Sequence, residues 1–245
     1  MSEYRTSIKE IQDLTDDNFG NMSNLYLNHY DGCTETQIRA DLSAKREALL
    51  LYSGPRIVGF TTLQVYEHEW KNRRIRIIYS GDTIVDRVHW GQQALAFCWI
   101  SRVNEIKRED PTLPLYWFVT IKGHRTFKYL PAFGKSFYPH WSIDRSDLKP
   151  LADHLALDKF GGLYNCKTGI VEHDESQGHL KKEIAHPTKE EMSKESVRFF
   201  LSRNPDYLIG HELVCICELE EANMKPFTKR IFRKAANADA MAETV

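Results

Sequence analysis

Apolar and polar residues alternate in two periods along most of the first 141 positions, and the switches between periods outline an ordered series of strands and helices. Ser7–Ile11 reads as a short strand. Phe19, Met22, Leu25 and Tyr26 then recur at helical spacing over Asp16–Tyr30, a helix that Asp31-Gly32 stops. Thr34, with Glu35 behind it, caps a second helix through Lys45 that carries Ile38 and Leu42 on one face. The apolar run Ala48–Tyr52 and the Val-, Phe- and Thr-rich run Ile57–Tyr66 flank the turn Ser53-Gly54-Pro55, which makes them an antiparallel hairpin.

A polar interruption, Glu67–Arg73, precedes the next strand, in which Ile75, Ile77 and Tyr79 alternate with Arg74 and Arg76. The alternation breaks at Ser80-Gly81-Asp82 and resumes as Thr83-Ile84-Val85. A glycine inside a strand pattern predicts a bulge, so this strand bends rather than ends. Leu95, Trp99, Val103 and Ile106 place a long amphipathic helix over Gly91–Glu109, closed by Asp110-Pro111, and Leu115–Thr120 reads as a central strand. A short helix is expected over His124–Leu130, followed by the aromatic segment Phe133–Trp141. The order so far is βααβββαβα.

Beyond Asp144 the periodicity weakens. Leu148–Phe160 predicts a helix, Gly161-Gly162 a turn, Val171–Pro187 a polar loop holding several histidines, and Thr188–Arg203 a helix closed by Asn204-Pro205. Leu213–Leu219 reads as a further strand of the sheet, and residues 236–245 as a disordered tail.

Composition narrows the function classes. The 33 basic residues against 34 acidic ones leave a net charge of −1, with no basic field for non-specific nucleic-acid binding. Neither a signal-peptide stretch nor an apolar run of bilayer length occurs, so neither membrane nor nucleic acid is expected as a partner and the reading is cytoplasmic. Five scattered cysteines do not form a secreted disulfide framework. Cys215 and Cys217 share one face of their strand as small core residues, and His68, His173, His179 and His186 lack compact ligand spacing, so no metal is expected. Hydrolase, nucleotide-binding, zinc-protease and dinucleotide fingerprints are absent.

The place where chemistry is expected is the bent strand, its loop Asp86–Trp90 and the helix opening at Gly91-Gln92-Gln93, where backbone N–H groups attract phosphate oxygens. The stretch Ser80–Leu95, SGDTIVDRVHWGQQAL, resembles the fourth strand, pyrophosphate loop and third helix of the GNAT acyltransferases. TIKGHRTFKYLPAFGKSFYPHW is similar to the end of their fifth strand and their fourth helix. Gly91 matches the first small position of the family's loop. The second falls on Gln93 and the basic position on Val88, both departures from the pattern.

The resemblance implies an α/β fold with a mixed, mostly antiparallel central sheet, splayed at strands four and five and flanked by helices. It implies one domain over 1–235, with its core at 5–141 plus 213–219 and an elaboration at 145–210. It also implies N-acyl transfer from acetyl-CoA or another acyl-CoA to a small-molecule or peptide amine. Thr83, Ile84, Val85, His89, Trp90, Gly91, Gln92, Gln93, Ala94 and Lys122 are the implied donor contacts, and extended backbone at 82–85 would pair with pantetheine amides. Tyr129 stands where the family places the acid that protonates the departing thiolate. Asp82 is the candidate base named beside it, with Glu67, Glu69 and His89 open as alternatives. An acyl carrier protein as donor, met by Arg73, Arg74 and Arg76, and a GNAT-fold binding protein without transfer activity are the competing readings. A homodimer is left open.

Overall fold

The computed structural model describes residues 4–173 and 178–242. In chain order the elements are β1 (Tyr4–Glu10), α1 (Asp16–His29), α2 (Glu35–Ser43), β2 (Glu47–Ser53), β3 (Arg56–Trp70), β4 (Arg73–Val85), α3 (Ala94–Glu109) and β5 (Leu115–Ile121). There follow α4 (His124–Phe127), α5 (Tyr129–Phe133), α6 (Lys149–Phe160), β6 (Tyr164–Asn165), β7 (Ile170–Val171), α7 (Glu195–Arg203), β8 (Glu212–Glu218) and α8 (Pro226–Ala242). Thr15 and Thr34 open α1 and α2 through capping boxes closed by Asn18 and Gln37, which satisfy N–H groups the helices leave unpaired.

The eight strands form one sheet in the order β1-β2-β3-β4-β5-β8-β7-β6. Every pair is antiparallel except β4 with β5. The expected mixed, mostly antiparallel sheet flanked by helices is thus the one observed.

Alternation within the strands divides the core. Leu49, Leu51, Ile78, Trp117, Val119, Leu213, Cys215 and Cys217 join Leu95, Trp99, Val103 and Phe232 on the face covered by α3, α5 and α8. There the rings of Trp99 and Trp117 lie 4.6 Å apart and Phe133 stacks on Trp99 at 5.2 Å. The opposite face carries two separate clusters. One packs α1 and α2 on Leu50, Phe60 and Ile84, and the other packs α6 on Ile75, Ile77, Tyr79, Phe118, Val214 and Ile216. Between them opens a cavity that Asp41, Asp82 and Lys159 line together.

Several boundaries differ from the sequence reading. Glu67–Arg73 is no interruption: β3 and β4 run through it to a turn at Lys71 and Asn72, whose φ values of 51° and 60° make a tight hairpin. Glu67 pairs across the hairpin with Arg74 and Arg76, so the polar residues are a cross-strand ion-pair ladder. Helix α3 begins at Ala94 rather than Gly91, because Gly91 has a φ of 91°, which no helix continues. The helix expected over Thr188–Arg203 is broken into a turn at Lys189–Met192 and α7, and α8 was not anticipated at all. The histidine loop contains β7 and a two-residue strand, His179–Leu180, that pairs with Tyr30–Asp31, while its residues 174–177 lie outside the described residues. Of the expected tail, 236–242 continue the backbone of α8 and 243–245 lie outside the described residues.

Gly59 of β3 faces the bend in β4. A Cβ there would meet the Ile84 carbonyl oxygen at 3.0 Å and Val85 Cγ2 at 3.1 Å. Gly59→Ala is therefore expected to cost about 1–3 kcal/mol of stability, since backbone must move to admit one methyl. Urea denaturation measures it, and an unchanged midpoint would show that β4 yields there freely.

Candidate functional site

Strand β4 pairs with β5 only from Arg76 to Ser80, against Leu115 to Val119. Beyond Ser80 the two strands part. The cause is local: the β3/β4 register shifts between Phe60 and Thr62, leaving Asp82 and Thr83 bulged opposite Thr61, whose Oγ lies 2.8 Å from Thr83 Oγ. Gly81 is needed at the bend because a Cβ would stand 2.7 Å from Lys45 Cε and 2.8 Å from Thr62 Oγ1. With glycine there, the Lys45 stem crosses the strand and places its ammonium 2.7 Å from Asp41.

Two hollows open where the strands part. A cleft of about 430 Å³ is lined by Thr83, Ile84 and Val85, by Trp90, Gly91 and Gln92, and by the α4 residues with Tyr129. A cavity of about 310 Å³ lies between α1/α2 and α6, lined by Tyr26, Tyr30, Asp41, Lys45, Tyr79, Asp82, Lys122, Lys159 and Glu212 among others. Tyr30, Thr83, Thr126 and Tyr129 line both.

The sheet is the mixed, mostly antiparallel one that the resemblance led us to expect, and it parts between β4 and β5.

No family model and no curated protein matches the sequence. Among solved structures, an Enterococcus faecalis protein of unknown function described as a "probable N-acyltransferase" overlaps 64% of the chain at 7% identity and a TM-score of 0.41. The chain spans only 44% of that protein's length. An acyl-CoA N-acyltransferase from Pseudomonas aeruginosa overlaps 54% of this chain and 88% of its own at 13% identity and a TM-score of 0.38. A GNAT-family N-acetyltransferase from Escherichia coli, in complex with CoA, overlaps 54% of this chain and 69% of its own at 12% identity and a TM-score of 0.37. At such values no activity transfers to this chain.

Six of the expected donor contacts, Thr83, Ile84, Val85, Trp90, Gly91 and Gln92, line the cleft, and four do not. His89 turns away to put Nδ1 3.0 Å from the Tyr4 hydroxyl. Gln93 is the N-cap of α3, Ala94 packs against the core, and Lys122 lines the neighbouring cavity. Within the cleft, the Trp90 indole N–H donates to the Val85 carbonyl at 2.7 Å, and His29 Nε2 lies 3.1 Å from the same oxygen. The extended backbone expected to pair with a ligand thus has one acceptor already engaged. The Gly91 amide, by contrast, has no acceptor among the described residues, and open space lies beside its α-carbon.

Sequence reasoning missed the cations at the cleft mouth. Arg125 and Lys128 line it, and Glu191 binds both, at 2.9 Å and 2.7 Å. Although burial opposes ionisation of Glu191, its bond from Lys128, the Thr188 amide and the two cations hold its pKa down to about 2. Burial lowers His124 beside them to about 4, with Arg125 acting the same way, so this imidazole is neutral. The only sequence signal was the pair of basic residues flanking a helix turn, which is too common to single out.

The four candidate bases separate sharply. Glu67 is tied to Arg74 and Arg76, and Glu69 lies two residues farther along β3 toward the hairpin turn. Arg76 precedes Asp82 by six residues, which is roughly 20 Å of extended strand. His89 faces Tyr4, so only Asp82 lines the cavity that meets the cleft. Burial raises the Asp82 pKa, and the carboxylate of Asp41, close enough to share a proton, raises it further. Behind them, burial alone would raise Glu212, but Lys122 at 3.5 Å and His173 at 3.4 Å draw it down to about 2.

Tyr129 stands at the boundary of the two hollows, its ring 5.5 Å from that of Phe133. Burial raises its pKa, so the phenol keeps its proton, and no described residue hydrogen-bonds its hydroxyl. The arginines expected to greet a carrier protein are otherwise engaged. Arg74 is paired with Glu67, and Arg76 is buried between Glu67 and Glu109. Among the described residues no group of three or more His, Cys, Asp or Glu side chains could hold a metal ion, and no helix is long and apolar enough to cross a membrane.

Proposed function

We propose that this chain is an acyl-CoA-dependent N-acyltransferase that joins a donor in the cleft to an amine in the adjoining cavity. The observation that carries the reading is the set of four residues, Tyr30, Thr83, Thr126 and Tyr129, that line both hollows. A thioester threaded along Thr83–Val85 and an amine beside Asp82 would meet at that boundary. Bringing them together converts a bimolecular encounter into a positioned attack.

In the reaction the amine nitrogen bonds to the thioester carbon, the C–S bond breaks, the amine proton passes to Asp82 and the thiolate takes the Tyr129 proton. Asp82, raised toward neutrality by burial, suits a base, and Tyr129, protonated through its burial, suits an acid. Gly91, with its open amide, and Arg125 and Lys128 would hold the donor's phosphates.

Glu191 holds those two cations in a phosphate's stead. Glu191→Gln keeps a side chain that can close the Thr188 capping box while removing the charge. It is expected to tighten CoA binding roughly tenfold at low salt, equivalent to about 1.4 kcal/mol. Unchanged affinity would mean that Arg125 and Lys128 do not touch the donor.

A second reading, a GNAT fold that binds without transferring, draws on the engaged Val85 carbonyl and on Glu191 at the cleft mouth. Calorimetric titration with acetyl-CoA, longer acyl-CoAs and free CoA separates the two. Micromolar binding by the acyl-CoAs supports transfer, and an amine screen for CoA release follows. Absence of both heat and thermal shift overturns the proposal.

A further inference from the structure

The cavity beside Asp82 holds more charge than an acid–base role needs, and two ion pairs leave Asp82 at one end and Lys159 at the other without an ion-pair partner among the described residues. Lys45 is matched by Asp41 at 2.7 Å, and Lys122 by Glu212 at 3.5 Å. Lys159, contributed by α6, stands with Nζ 4.2 Å from the centre of the Tyr79 ring, which also has the Lys45 ammonium 5.7 Å from its centre. Among the described residues no carboxylate lies within ion-pair distance of Lys159, although Asp41, Glu212 and Asp158 act on it from farther away. Its charged form is disfavoured by burial first and by Lys45 second. Two ammonium groups around one aromatic ring, one of them unmatched, make a place for an anion.

The other end of the cavity has the opposite need. Asp82 and Asp41 place two carboxyl groups close enough to share a proton, and a cation there would replace that proton. Tyr79 lies three residues before Asp82 on β4, and its ring has Lys159 4.2 Å from its centre and Lys45, the partner of Asp41, 5.7 Å from it, so the two ends lie within reach of one small molecule. Tyr26, Tyr30, Tyr79, Trp117 and Phe160 add aromatic surface to the lining of this cavity of about 310 Å³.

We infer that the cavity takes a free amino acid as a zwitterion, its ammonium toward Asp82 and Asp41 and its single carboxylate on Lys159. This names the acceptor class for the transfer proposed above, and it rests on that reading only for the word acceptor. One unmatched ammonium fits one negative charge. The dianion of a phosphate would also face Asp41, Asp82 and Glu212 at close range, which argues for a carboxylate. The elaboration after residue 145 gains a role as well, since α6 supplies Lys159 and Phe160 and so closes a cavity that the sheet and α1/α2 leave open.

The test is calorimetry on the full chain with no acyl donor present, so that it stands whether or not transfer is observed. The probes are the twenty L-amino acids, the amide of each one that binds, and ethanolamine phosphate. At least one amino acid is expected to bind, with its amide at least tenfold weaker. Lys159→Ala should weaken the amino acid about tenfold and leave its amide unchanged, whereas Lys167→Ala, at an exposed site elsewhere, should change neither. An amide that binds as well as its acid, an insensitive Lys159→Ala variant, ethanolamine phosphate binding tighter than every amino acid, or no binding at all would each overturn the inference. If amino acids bind but no acyl-CoA yields product, the transferase reading fails and the cavity assignment survives.

Discussion

Asp82→Asn is expected to lower kcat/KM for acyl transfer by about 100-fold or more, because an amide cannot accept the proton that the amine must lose. The same substitution should leave the protein at least as stable at neutral pH. Burial, with the nearby Asp41 carboxylate, raises the Asp82 pKa above the unfolded value of about 3.9. The folded state therefore binds more protons than the unfolded one in the window between the two values, and stability falls as pH rises through it. An uncharged asparagine escapes that penalty.

The pH profile carries the sign of the mechanism. A base works ionised, so kcat/KM should rise with pH through the raised pKa of Asp82, and that limb should vanish in Asp82→Asn. Asp41→Asn removes the like charge and frees Lys45, both of which favour the ionised form of Asp82, so the limb should move to lower pH. A limb that persists unchanged in Asp82→Asn would assign the base elsewhere.

Tyr129→Phe is expected to reduce kcat about 100-fold with the dissociation constant for acyl-CoA unchanged. The aromatic ring that packs on Phe133 is retained, and no hydrogen bond to a described residue is lost, so the melting temperature should hold. What disappears is the proton for the leaving thiolate. A poor leaving group at the thioester magnifies the need for that proton, so the loss should be greatest with donors whose thiol has the highest pKa. Loss of donor binding instead of turnover would make Tyr129 a wall of the cleft and no more.

The proposed donor cleft and acceptor cavity use different parts of the fold, and the sequence exposed them unequally. The bend at Ser80-Gly81-Asp82 was legible because a glycine interrupting an alternating strand marks a bulge or a close backbone approach, and the resemblance of Ser80–Leu95 pointed to the same stretch. Tyr129 was legible by the same resemblance, and it does reach the boundary between the two hollows. His89, Gln93, Ala94 and Lys122 were expected at the cleft through the resemblance, and none of them lines it. His89 closes the single 3-10 turn Arg87–His89 and bonds to Tyr4, and Lys122 goes to the cavity beside Glu212. Direction after a turn depends on dihedral angles that residue types do not specify.

The sequence by itself determined the elements whose period is set locally: the capped helices at Thr15 and Thr34, the hairpin at Gly54, the long helix through Trp99 and the central strand through Phe118. It also determined that Cys215 and Cys217 share a buried face, since alternation alone requires it. Only the tertiary structure decided that Glu67–Arg73 is a ladder of ion pairs rather than a break, because cross-strand partners are invisible along a chain. Only it brought Lys159, Glu191 and Glu212 to the two hollows from segments 70 to 130 residues beyond Asp82 in the chain. Charges so far apart in sequence meet only through packing, and their chemistry exists only once the sheet has closed around it.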